Sequence, residues 1–175
     1  MSLARDELHL AMGEFLTECS NLENILISLM MFCQDRRDFQ LIHLEMLGET
    51  FGNRIKAFKR ACSNYAFNAE HCEALDAAIA ELDDLLPRRN FIVHGVTYEV
   101  GFGDDEPKAY RIGVPKGNID YLNEFLRHTT SVDHSFPIER VRQATADCKF
   151  LASKIGSIVT HLLNLFVASQ SKSRD

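Results

Sequence analysis

Apolar and polar positions alternate along the chain in ways that separate helical from strand-like stretches. From Leu3 to Cys33, apolar residues recur at steps of three and four: Leu8, Met12, Phe15, Cys19, Leu22, Leu26, Leu29 and Cys33. Successive helical residues turn by about 100°, so this set forms one stripe and predicts a long amphipathic helix. Glu23 breaks the pattern, projecting beside Met12, Leu16 and Met30 at the stripe's edge. A carboxylate there costs free energy unless it reaches water or a cation. Two readings stand: it snorkels at the rim, or it pairs with a base on a neighbouring helix.

Gln34 to Asp38 is a polar break and reads as a loop. Phe39 to Leu47 predicts a short helix ended by Gly48. Thr50 is placed to cap the next helix, whose stripe is Phe51, Ile55, Phe58, Cys62 and Tyr65. Its other face carries Arg54, Lys56, Lys59 and Arg60, read as solvated, with an RNA-contacting flank as the alternative. Asn68 can cap a further helix with Cys72, Leu75, Ile79, Leu82 and Leu86 on its stripe, running up to Pro87. Ala69, Ala74, Ala77, Ala78 and Ala80 make that helix slim, which suits close packing. Pro87 fits the first turn of a short segment of about one and a half to two turns that stops at Gly95.

After Gly95 the period becomes two. Val96 to Phe102 and Ala109 to Val114 predict a β-hairpin over about 96–114, with Gly103 to Pro107 as its turn. A short helix is expected within 117–128, then a loop over Thr129 to Ser135 that holds His134, with His128 just before it, both histidines read as solvated. The last helix carries Ile138, Val141, Cys148, Leu151, Ile155, Ile158, Leu162 and Leu165 on its face. The expected fold class is all-α: an up-and-down-type helical bundle with long terminal helices and a small β-hairpin insertion after the motif helix. It is read as a single domain over 1–175.

Composition narrows the picture. The 175 residues are 46% hydrophobic and 25% charged, ordinary for a globular domain. No apolar run reads as long enough to span a membrane, and the N-terminus lacks the pattern of a signal peptide. Cysteines at 19, 33, 62, 72 and 148 form no Cys-x-x-Cys, so reduced thiols in a cytoplasmic protein are expected. His71 and Cys72 are adjacent and diverge on a helix, and no second such pair lies at ligand spacing, so neither metal nor cofactor is expected. A phosphate-binding glycine loop, a Gly-x-Ser-x-Gly elbow and a His-Glu-x-x-His pair are absent from the sequence. The formal net charge of −6 argues against non-specific nucleic-acid binding by the whole surface.

Chemistry concentrates in Leu86 to Gly95. Asn90 and His94, four residues apart, share a helix face, and Arg89 is long enough to reach the same point. A guanidinium, an amide and an imidazole together suit a phosphate diester: arginine supplies a planar fork of donors and histidine moves protons near neutral pH. The structural alternative is that Arg88 and Arg89 answer Glu81, Asp83 and Asp84, with His94 favoured at a helix end by the macrodipole.

This stretch resembles the signature of the HEPN superfamily: Arg, four to six residues, then His, with a polar residue often after the Arg. Arg89 to His94 fits the four-residue form, with Asn90 in the polar slot, and Arg88 to His94 fits the five-residue form. The resemblance covers most of the chain as a bundle, and this one motif alone is diagnostic of function. It implies a homodimer that brings two motif copies into one cleft, and a metal-independent endoribonuclease. His94 would serve as general acid or base, Arg89 would stabilise phosphate charge, and Asn90 would orient either. Glu23 is expected within salt-bridge reach of Arg88, Arg89 or His94, so Glu23 and Arg88 are supporting residues. The competing class is a catalytically inactive dimeric scaffold, or a regulator binding RNA or a protein partner in a toxin–antitoxin or defence setting. The acidic charge favours that class.

Overall fold

The computed structural model of the chain describes residues 3–34, 39–46, 48–100, 108–112 and 135–172. Its helices are α1 (Leu3–Cys33), α2 (Phe39–Met46), α3 (Phe51–Ser63), α4 (Ala69–His94) and α5 (Ile138–Lys172). The class is all-α and the architecture a helical bundle. Read from the sequence as one domain, the chain groups into two compact units. One joins Met1–Glu18 to Leu85–Asp147, the other Cys19–Asp84 to Cys148–Asp175.

Local signals place the elements of the second unit. Gly48 follows α2 with φ +86°, a left-handed conformation that costs a residue with a Cβ and suits glycine. Thr50 caps α3, its hydroxyl accepting from the Asn53 N–H at 3.3 Å. Asn68 caps α4, its side-chain oxygen accepting from the His71 N–H at 2.7 Å. Phe51, Ile55, Phe58 and Cys62 are buried as their spacing predicts, whereas Tyr65 lies past the helix end and is exposed.

The contacts of this unit fix helix directions. Glu23 meets Arg54, and Met30 and Cys33 share a cavity wall with Arg60 and Ala61, so α1 and α3 run parallel. Cys19 Sγ lies 3.7 Å from Cys148 Sγ, and a Cβ on Gly156 would sit 4.0 Å from Ile25 Cδ1, so α1 and α5 are also parallel. Lys154 Nζ donates to Glu81 Oε1 at 3.0 Å and the His71 and His161 rings lie 5.0 Å apart, so α4 opposes α5. Of these four helices, α1, α3 and α5 point one way and α4 the other. The parallel packing of α1 and α3 follows from α2: it buries Ile42 and sets His43 and Met46 beside Ser20, Glu23 and Ile27, carrying the chain back along α1 before α3 begins.

Of the expected α4 stripe, Leu75 and Leu82 are buried, Ile79 and Leu86 are half-buried and Cys72 is exposed, while Ala78 joins the buried set. The neighbouring helices thus shift the buried face slightly from the one the spacing predicts. Ala69, Ala77 and Ala80 are exposed, so only part of the alanine content thins a packed face.

In the first unit, Leu8 and Phe15 of α1, Leu85 and Ile92 of α4, and Val141 and Ala144 of α5 are fully buried. Burying a large apolar side chain contributes about 1.5–3 kcal/mol. The short motif segment expected to start at Pro87 is instead the end of α4, which continues through Pro87. A proline there leaves the carbonyl four residues earlier, at exposed Asp83, without its intrahelical donor, and water can replace it. The helix stops at His94, with the Gly95 N–H donating to the Phe91 carbonyl at 2.9 Å.

Strands β1 (Val96–Val100), β2 (Lys108–Ile112) and β3 (Ser135–Pro137) form an antiparallel sheet in the order β1-β2-β3. Val96 faces Ile112 and Val100 faces Lys108, while Ile112 faces Ser135 and Tyr110 faces Pro137. The expected two-stranded hairpin over 96–114 is thus corrected to a three-stranded sheet. A two-stranded hairpin is marginal alone, and the residues just before α5 supply the third strand as an edge, where Pro137 is tolerated. The expected turn over 103–107, the helix within 117–128, and the histidines His128 and His134 lie outside the described residues.

By length and composition, the stretch Ile138–Ala168 of α5 is apolar enough to cross a membrane. This corrects the reading that no run in the chain qualifies. No Asp, Glu, Lys or Arg lies between Ile155 and Ala168. Ile155, Ile158 and Leu162 there serve the core, while Leu163, Leu165 and Phe166 are exposed.

Candidate functional site

The motif residues occupy the last two turns of α4. On a helix turning about 100° per residue, Arg89, Asn90 and His94 span a sector of about 140° with Asn90 inside it. Arg88 leaves that sector on the far side from Asn90. Asn90 and His94 are exposed, whereas Arg88 and Arg89 are half-buried. Ile92, on the opposite side, is fully buried and anchors the turn.

The two arginines separate by partner. Arg88 Nη1 donates to Asp147 Oδ2 of α5 at 2.5 Å, with both side chains about one-third exposed or less. Asp147 Oδ1 accepts from Gln143 Nε2 at 2.8 Å, one turn earlier on α5, so the carboxylate is held from both sides. Arg89 Nη1 instead points along the motif, 3.4 Å from Asn90 Oδ1. In the same unit, Thr97 Oγ1 of β1 lies 3.5 Å from His9 Nε2 of α1. Two of the carboxylates that might have answered the arginines pair with lysines: Asp83 accepts from Lys59 at 2.6 Å, and Glu81 from Lys154.

Comparison of the chain with protein-family models, with curated proteins and with solved structures finds no match in any of the three.

Glu23 was expected to join Arg88, Arg89 or His94. Its carboxylate instead pairs with Arg54 of α3, and both side chains are largely buried. The physical requirement was read correctly, since a carboxylate at an apolar edge needs a cation. The cation comes from the α3 face that had been read as solvated. The pair lines a cleft of about 190 Å³ together with Ser20, Asn24 and His43. The parallel packing of α1 and α3 places Arg54 there, and no local signal in the sequence reports it.

His161 had no evident partner in the sequence. Its ring meets His71 edge-on, and His71 in turn meets Phe67 at 6.4 Å. Among the described residues, no three His, Cys, Asp or Glu side chains gather as a metal site.

Proposed function

We propose that the protein is a metal-independent endoribonuclease of HEPN type, with Arg89, Asn90 and His94 as its site. The observation that carries this reading is the exposed Asn90–His94 face with Arg89 turned along it, while Arg88 is engaged by Asp147. RNA brings its own nucleophile, the 2′-OH beside the scissile phosphate. His94 moves the proton, Arg89 stabilises charge on the crowded phosphorane, and Asn90 orients them. The products are a 2′,3′-cyclic phosphate and a 5′-hydroxyl end. One chain offers one such triad, and a homodimer with a two-fold axis offers two in one composite cleft. The protein acts on RNA in the cytoplasm under this reading.

The experiment is cleavage of single-stranded RNA by the purified protein with EDTA present. Cutting is expected, and His94→Ala lowers it by about 10²–10⁴ while the fold is kept. Cleavage of a deoxy substrate, or loss of activity with EDTA, overturns the 2′-OH mechanism. Light scattering that shows a monomer at micromolar concentration overturns the composite site.

A second reading has its own observation. The Gln143–Asp147–Arg88 chain ties the motif helix to α5, as a scaffold would need, and the net charge of −6 suits a protein partner better than RNA. If no RNA is cut, and His94→Ala and Arg89→Ala lower stability instead, the chain is a dimeric HEPN-like scaffold or regulator.

A further inference from the structure

His71 and His161 come together from distant parts of the chain, both within the second unit. His71 lies in the first turn of α4 and is half-buried, whereas His161 lies late in α5 and is exposed. Their rings are 5.0 Å apart between centroids and inclined by 74°. The His71 side is held in place. Its backbone N–H donates to Asn68 Oδ1 at 2.7 Å, which fixes the first turn of α4. The Phe67 ring stands nearly perpendicular to the His71 ring at 6.4 Å, and Tyr65 packs on Phe67 at 4.6 Å. His161 faces solvent, and the last torsion of a histidine side chain has a broad minimum, so its ring turns at little cost.

This spacing suits more than a ring contact. Neutral imidazole is a good ligand for zinc, copper and nickel ions. Its nitrogen lies about 2.0–2.1 Å from the metal, so two imidazoles at a tetrahedral angle set their ring centroids about 5 Å apart. The pair on α4 and α5 has that separation. Cys72, the neighbour of His71, turns its thiol to the Phe67 carbonyl at 3.8 Å, which leaves the two imidazoles as the ligands.

We propose that His71 and His161 form a two-histidine site for a divalent transition-metal ion, with zinc as the ion that a tetrahedral spacing suits. Water completes the coordination on the exposed side. The ligands come from two helices, so the ion ties the start of α4 to α5. Arg89, Asn90 and His94 belong to the other unit, so this site is independent of the ribonuclease reading and its ion takes no part in cleavage.

The test titrates the full chain, first stripped with EDTA and dialysed, with zinc chloride near neutral pH. The readout is the nitrogen-15 signals of the imidazoles, assigned through bonds to their backbones. Zinc is expected to shift both the His71 and the His161 rings together. Magnesium, which prefers oxygen ligands, is expected to shift neither. In His161→Gln, the zinc concentration that half-shifts the His71 ring is expected to rise by about tenfold or more, since loss of even an outer-shell partner costs about 10–100-fold in affinity. Three results overturn the proposal: zinc shifts that miss either ring, equal shifts with magnesium, or an unchanged His71 titration in His161→Gln. The first two are read on the wild-type chain and hold even if the variant does not fold.

Discussion

The ion pair between Arg88 and Asp147 separates structure from chemistry in the motif, and a double-mutant cycle tests it. Opposite unit charges about 4 Å apart attract by about 4 kcal/mol at an effective dielectric constant of about 20. Desolvation and the ordering of two long side chains offset most of this. Exposed pairs measure about 0.2–1 kcal/mol, and breaking a fully buried pair costs about 3–5 kcal/mol. At 28% and 31% exposure this pair lies between those limits. Arg88→Ala and Asp147→Ala are each expected to destabilise by about 1–2 kcal/mol, with a coupling of about the same size. For a chain of this length that is a fall in Tm of about 3–6 °C. Urea unfolding of wild type, both single variants and the double variant gives the coupling directly. The same proteins are assayed for RNA cleavage well below their melting points: Arg88→Ala retains cutting, whereas Arg89→Ala loses it at unchanged stability. Single losses that add within about 0.5 kcal/mol refute the pair as a support. Loss of cutting in Arg88→Ala at full stability refutes the assignment of Arg89 as the motif arginine.

Two further expectations concern the scaffold. Phe58 is fully buried among the helices of its unit, so Phe58→Ala is expected to cost about 3–5 kcal/mol by chemical denaturation, and a loss under 1.5 kcal/mol contradicts the packing described. Two glycines with open space around a new Cβ should respond oppositely. Gly13→Ala in the middle of α1 is expected to stabilise by about 0.5–1 kcal/mol, whereas Gly48→Ala at φ +86° is expected to destabilise by about 1–2 kcal/mol, and equal signs in a melting experiment contradict the backbone argument.

Much of the secondary structure was legible in the sequence, because its causes are local. The stripe of α1 gave both its ends and most of its buried face. Thr50 and Asn68 marked helix starts, since a capping oxygen reaches donors only two or three residues on, and Gly48 marked a stop by its freedom at positive φ. The motif face was legible for the same reason, since Asn90 and His94 are one turn apart. Pro87 misled the reading because local preference puts proline in a first turn, while buried neighbours on both sides of it, Leu85 and Ile92, keep α4 continuous. What the tertiary structure alone decided is which distant groups meet. Glu23 takes Arg54 from 31 residues away, Arg88 takes Asp147 from 59, and Cys19 faces Cys148 from 129. Periodicity shows that a carboxylate or thiol lies on an inward face, but it carries no information on which helix lies opposite. That choice depends on the direction in which each helix packs, and here the return of the chain through α2 sets it.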